Sequence, residues 1–525
     1  MKNPEPRLSR ATTGMAIGTT LSRITGVGRM IALAYALGFT SVADAYNLAN
    51  TIPNIVHDVV LGGVLSATFV PVFVDRMATR ADDEAWDAIS AVTTMAFVVL
   101  SVACAVFLLA APFIVDVTTA FNQSRHAALE RPVATDLLWL FVPQLACYGF
   151  VSITTALLNA RRRFNAPMFA PIANNLLLIA ILVGFGLSLH HPDLLEIHDH
   201  QVYLLVLGLG TTLGVAVQAL VLMPSLRRAG IHLHWNLSLR HEAVRTVMRL
   251  SGWTLGFVLA NQIALLAVLT LSEHVGTGAV TAYTYAYTFF QLPFGIVAIS
   301  IMSATTPALA THWTLGDLGA FRRRFATGLR AMLAIVVPAA AGELVLARLL
   351  VALLLGHGAG SVATSVPTGQ ALAMLALGLP GFCVFLYVTR AFQAMQDTRS
   401  AFWLYAVENG VNIVLAVALA GPLGVRGIAL SISLAYSIAA VIAFWHLDKR
   451  VRGLDGAAVL RPLGRVGVST IALAVAAALG SSITGSDSGL GLLVRVTVGL
   501  AAGFAGYVTT AMIATAISSR AQPGA

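Results

Sequence analysis

Runs of roughly 20 apolar residues recur along the whole chain, and this pattern dictates what the chain can fold into. Inside hydrocarbon no water is present to bond a backbone N–H or C=O, so each such run must satisfy its own backbone as a helix. Hydropathy, with Gly, Pro and charge as punctuation, predicts helices near 12–38, 44–74, 87–115, 135–160, 166–189, 202–226, 242–272, 279–311, 325–355, 367–396, 400–420, 424–446, 462–481 and 488–517. The expected fold class is therefore an all-α polytopic membrane protein with 14 transmembrane helices. Composition agrees, because only 10% of the 525 residues are charged, against about 25% in soluble proteins.

Lys and Arg collect in cytoplasmic connections, which tests both the count and the orientation. With the N-terminus inside, 22 of the 32 basic residues fall in or beside inside segments. Only Arg125, Arg131 and Arg426 fall outside. Both termini are expected on the cytoplasmic side, with the chain multi-pass in the membrane. The net charge of +9 is a topology signal rather than a nucleic-acid footprint, since the basic residues form short clusters between apolar runs. The first apolar run is interrupted by Arg23 and Arg29 and lacks a small-residue cleavage site, so it reads as a helix, not a signal peptide. Cys104, Cys147 and Cys383 lie in apolar segments with no ligand spacing, and the histidine-rich stretch 190–200 reads as an external loop without Lys or Arg. No metal or organic cofactor is expected.

An internal repeat organises the spans. Ala45-Tyr46 and Ser66-Ala67-Thr68 recur 237 residues later as Ala282-Tyr283 and Ser303-Ala304-Thr305. The offset matches six helices, an even number, which gives two six-helix lobes of one orientation related by a pseudo-twofold axis, plus two C-terminal helices. The expected domains are 1–230 for helices one to six, 231–450 for helices seven to twelve, and 451–525 for the last two helices and the tail.

Charge inside a span is expensive, roughly 2.5 to 3.5 kcal/mol on insertion scales, and usually faces a cavity or a partner. Arg23 and Arg29 are such charges, and their guanidinium forks suit phosphate. Gly26 and Gly28 lie between them, which predicts a broken, positively charged first helix; without a bend the two arginines would point about 120° apart. Asp44 follows in the second span, and Asn47, Asn50, Asn54 and His57 continue at helical spacing along one face. That stripe reads as the lining of a cavity, the alternative being a hydrogen-bonded seam between helices.

The motifs carry a resemblance. SRITGVGRM is similar to the S-R-x-x-G-x-x-R signature, and DAYNLANTIPN with the later FVPVF to the D-A-F, P-N and F-V-P pattern, of the MviN/MurJ family of lipid II flippases. RAFQAMQDTRS at 390–400 resembles that family's F-Y-A-x-x-D-T-x-T segment, and 283–309 resembles its eighth helix. The family belongs to the multidrug, oligosaccharidyl-lipid and polysaccharide exporter superfamily. The resemblance implies substrate roles for Arg23, Arg29 and Asp44. It also exposes departures, since His57, Asp58 and Gly62 stand where many members have arginine, arginine and glutamate, and Thr288 falls on the eighth-helix arginine.

No Walker A, GxSxG or HExxH pattern and no soluble domain is present, so a transporter rather than an enzyme is expected. The resemblance implies flipping of lipid II, the undecaprenyl-pyrophosphate-linked peptidoglycan precursor, by alternating access, with cell-wall synthesis machinery as a partner. Alternatives are a flippase for another polyprenyl-pyrophosphate-linked glycan and a multidrug exporter. For coupling, Glu408 with Asn412, and Asn261 with Gln262 in the seventh helix, form an oxygen-rich set suited to Na⁺. A proton on Glu408 and the membrane potential are the other candidates, and a neutral, hydrogen-bonded Glu408 is the structural alternative.

Overall fold

The structure is a computed structural model that describes residues 5–59, 82–120, 127–161, 163, 165–189, 192–230, 234–238, 242–454, 456–483, 485–486 and 488–520. Helix is the dominant conformation throughout. The first unit, Met1–Gly278, contains α1 (Glu5–Leu37), α2 (Ser41–His57), α3 (Asp82–Thr118), α4 (Ala127–Phe141), α5 (Gln144–Ala160), α6 (Asn165–Ser188), the short α7 (Leu194–Asp199), α8 (Gln201–Arg228) and α9 (Glu242–Val275). The second, Ala279–Ala525, contains α10 (Ala279–Pro293), α11 (Ile299–Thr314), α12 (Leu318–Leu355), α13 (Val366–Ala394), α14 (Thr398–Leu423), α15 (Val425–Arg450), α16 (Gly456–Ile483) and α17 (Gly489–Arg520).

Among the described residues, 12 helical segments are long and apolar enough to cross a membrane. With α1 and α2, this agrees with fourteen spans. FVPVF, Gly62 and Ser66-Ala67-Thr68 lie outside the described residues. Two expected spans are interrupted. The fourth divides at Val142-Pro143 into α4 and α5, because Pro143 offers no N–H to continue the ladder. The eighth widens into a π-helical turn at Phe294–Ala298, just after Pro293.

Local caps explain several boundaries. Asp397 accepts hydrogen bonds from Ser400 N (3.0 Å) and Ser400 Oγ (2.8 Å), which starts α14. Gln396 before it adopts φ +61°, so the D-T segment of the 390–400 motif is a helix turnover built on a left-handed residue and a cap. Asp317 caps α12 in the same way through Ala320 N at 2.8 Å.

Within the first unit α1 packs along α6, α6 along α8, and α2 against α4 and α5. Within the second, α13 packs against α15 and α12, and α16 pairs with α17. Gly378 lets α13 and α15 approach closely, since a Cβ there would lie 2.3 Å from Ser433 Cα.

Candidate functional site

Helix α1 runs unbroken through Gly26 and Gly28, which corrects the expected break between the arginines. Both glycines face α6 instead: a Cβ on Gly28 would lie 3.3 Å from Ile179 Cδ1, and one on Gly26 3.8 Å from Asn175 Nδ2. Asn175 donates from there to Ser22 O (3.3 Å) and Thr25 Oγ1 (3.0 Å). The glycines therefore serve helix packing. On a continuous helix Arg23 and Arg29 stay about 120° apart and about 9 Å apart along the axis. Arg23 is exposed and Arg29 half-buried.

Arg29 enters a polar cluster inside the first unit. It lies within electrostatic reach of Tyr46 on α2 and Tyr148 on α5. The Tyr46 hydroxyl is 2.8 Å from Thr211 Oγ1 on α8, and its ring meets Phe141 edge-on at 5.5 Å. Farther along α2, His57 Nε2 lies 2.9 Å from Ser152 Oγ and His57 Nδ1 3.2 Å from Asp58 Oδ1. The imidazole rests on the Tyr148 ring at 5.2 Å. Gln262 on α9 donates to Asp58 Oδ2 at 3.3 Å. Five helices, α1, α2, α5, α8 and α9, thus contribute a guanidinium, an imidazole, a carboxylate and several hydroxyls to the polar interior of the first unit.

The other expected residues fall as follows. Asp44 is 2% exposed, and its carboxylate accepts from the backbone N–H of Gly278, in the turn that follows α9. Asn47 donates back to Ala43 O (2.9 Å) and Asn54 to Asn50 O (2.8 Å), so these amides bond their own helix. Asn50 Oδ1 is buried with no hydrogen-bond partner among the described residues. Thr288 on α10 donates to Thr284 O at 2.9 Å.

In the second unit Glu408 is 1% exposed, and its Oε2 has no hydrogen-bond partner among the described residues. Tyr283, Tyr287, Tyr405 and Tyr436 lie within its electrostatic reach. Asn412, one turn on, accepts from Ser431 Oγ at 2.9 Å. Asn261 and Gln262 belong to the first unit. Sequence reasoning missed Tyr148, Ser152 and Thr211, because each looks like an ordinary interruption of an apolar helix. The tyrosines around Glu408 left a trace in the Y-T-Y-A-Y spacing at 283–287.

Comparison with solved structures gives the fold. The chain superposes on "Lipid II flippase MurJ, inward closed conformation" with a TM-score of 0.76 at 19% identity, covering 95% of this chain and 98% of that one. An inward-facing multidrug resistance MATE family transporter of the MOP superfamily gives 0.66 at 15% identity, covering 84% of this chain and 99% of the other. The fold and its long apolar helices define a polytopic helical membrane protein.

Sequence narrows the class further. The family model described as Lipid II flippase MurJ matches residues 33–499, and the chain belongs to that family. A probable lipid II flippase MurJ of Rhizobium meliloti (strain 1021) is 30% identical over 431 residues, 81% of this chain and 78% of the relative. Lipid II flippase MurJ of Burkholderia cenocepacia is 26% identical over 455 residues, 84% of each chain. The family is one of transporters, not enzymes, and the chain is a multi-pass membrane protein.

Proposed function

We propose that this chain flips lipid II from the cytoplasmic to the outer leaflet of a bacterial cytoplasmic membrane by alternating access. The observation that carries the reading, beside family membership, is the cluster around Arg29. A guanidinium within electrostatic reach of Tyr46 and Tyr148, with the His57–Ser152 pair on the Tyr148 ring, offers charge-assisted donors to a pyrophosphate and hydroxyls to a sugar. Arg23, six residues earlier on the same unbroken helix and directed about 120° away, supplies a separate cation along the path. Asp58, paired with His57 and Gln262, offsets part of the positive charge, so the pyrophosphate rests chiefly on Arg29. Asn50, Asn54 and Thr288 contribute polar surface along the path, while the buried Asp44 and Asn47 hold the start of α2 in place. Glu408 with Asn412 is the proposed coupling locus, for Na⁺ or a proton, and Asn261 and Gln262 are the proposed partners of that set. Both termini are placed in the cytoplasm, with cell-wall synthesis enzymes as partners.

The test is complementation of a bacterial strain depleted of its own lipid II flippase, with membrane insertion monitored separately. Arg29→Lys keeps charge and loses the planar fork, so partial growth is expected. The Arg23→Ala, Arg29→Ala double variant should fail to support growth. Full growth of that correctly inserted double variant overturns the reading.

A further inference from the structure

The segment between α8 and α9 makes an ordered contact that the transport reading leaves unused. Residues 234–238 lie as an extended strap against the start of α3. His234 Nε2 is 3.0 Å from Asp87 Oδ1, and His234 N donates to Ser90 Oγ at 3.2 Å. Asn236 donates through Nδ2 to Asp87 Oδ1 at 2.8 Å and through its backbone N to Thr94 Oγ1 at 3.1 Å. Alternate residues of an extended chain point to opposite sides. The alternation places His234 and Asn236 toward α3 and leaves Trp235 and Leu237 on the other side, 78% and 73% exposed.

Depth along α3 says what this apolar side meets. The helix presents Val99, Val102, Val106, Leu109 and Phe113 outward as exposed apolar residues, as a lipid-facing stripe does. Thr94 precedes Val99 by five residues, about 7 Å of helix axis. The headgroup layer on each side of the hydrocarbon is about 5 to 7 Å thick. The Asn236 end of the strap therefore sits at headgroup depth, and the His234 end farther out. Tryptophan is enriched at that depth because its ring is apolar and its N–H finds a polar partner.

Basic residues are exposed at this end of the unit. Arg227 and Arg228 end α8 just before the strap, exposed, and Arg161 at the end of α5 is exposed over the Trp86 ring at 5.2 Å. Asp87 is taken up by His234 and Asn236, and Glu84, which follows Asp82 and Asp83 in the sequence, is exposed nearby. We propose that the 234–238 strap is an interfacial anchor: Trp235 and Leu237 insert among acyl-chain ends at the headgroup boundary, while Arg227 and Arg228 bind anionic phospholipid headgroups. Lipid on one side and α3 on the other then hold the connection between α8 and α9 at the membrane surface. The assignment takes the end bearing these arginines as the cytoplasmic end, as proposed above, and does not depend on the cargo.

The test uses the full-length protein in nanodiscs of phosphatidylcholine alone or with added phosphatidylglycerol. Subtracting the emission of Trp235→Phe from that of the unaltered protein isolates the signal of Trp235. The expected difference emission is blue-shifted, resists aqueous iodide, and is quenched about two-fold more by lipids brominated near the headgroup than by lipids brominated at the chain end. Adding phosphatidylglycerol should strengthen that quenching, and Arg227→Gln with Arg228→Gln should abolish the gain. Difference emission quenched by iodide and untouched by either brominated lipid places the strap in water and overturns the proposal, including where a soluble partner is the true occupant. Quenching identical in both lipid compositions overturns the anionic-headgroup assignment. Leu237→Cys carrying an environment-sensitive dye gives an independent second reading of depth. No readout involves transport, so failure here and failure of the flippase reading are distinguishable.

Discussion

Removing the Asp44 carboxylate should cost stability before it costs transport. Asp44 is buried, and its carboxylate takes the backbone N–H of Gly278, 234 residues away, tying the start of α2 to the turn after α9. Breaking a hydrogen bond to a charged group, and leaving the buried N–H unpaired, costs about 1.5–3 kcal/mol. Asp44 also stands in the first turn of α2, where a negative charge contributes about 0.3–1 kcal/mol against the helix dipole. Asp44→Ala should therefore lose about 2–4 kcal/mol, and Asp44→Asn, which keeps an acceptor oxygen, about half of that. At about 2 °C per kcal/mol for a unit of this size, the alanine variant should unfold some 4–8 °C lower in one fixed detergent. Gly278→Ala attacks the same joint from the other side. Gly278 has φ +79°, and a Cβ there would lie 2.7 Å from the Phe39 carbonyl oxygen. The two losses should be less than additive when combined, because either one breaks the same contact. An Asp44→Ala protein that unfolds at the unaltered temperature while losing transport would refute this reasoning, and would make Asp44 a substrate group instead.

Gly378→Ala should force α13 away from α15, since the new Cβ meets Ser433 backbone at 2.3 Å; a loss of about 1–3 kcal/mol is expected, read as a lower unfolding temperature. Glu408→Gln preserves shape and hydrogen bonding and deletes the titratable charge, so transport should persist weakly and lose its dependence on Na⁺ or on the proton gradient; unchanged dependence removes Glu408 from coupling. For topology, Leu195→Cys and Leu315→Cys, both exposed, should be labelled from outside and from inside respectively, and the reverse pattern would invert the proposed orientation.

The elements were legible in the sequence because each depends on neighbours close in the chain. Twenty apolar residues in a row must be helical in a membrane, whatever surrounds them. The ends of the elements were less legible: with Asp397 and Asp317 capping through residues three positions later, α14 starts two residues before the expected 400, but α12 starts at Leu318, seven before the expected 325. The intramembrane charges were also visible, since their cost does not depend on the partner. Their roles were decided by tertiary structure. Gly26 and Gly28 read equally well as a break or as a packing face, and only the approach of α6 chose between them. His57 meets Ser152, 95 residues on, and Asp44 meets Gly278 because of how α2, α5 and α9 are rotated and inclined. A sequence pattern fixes which residues share a helix face, through the 3.6-residue turn. It leaves the azimuth of that face and its opposite neighbour to side-chain packing across helices, which sums many small contacts distant in sequence.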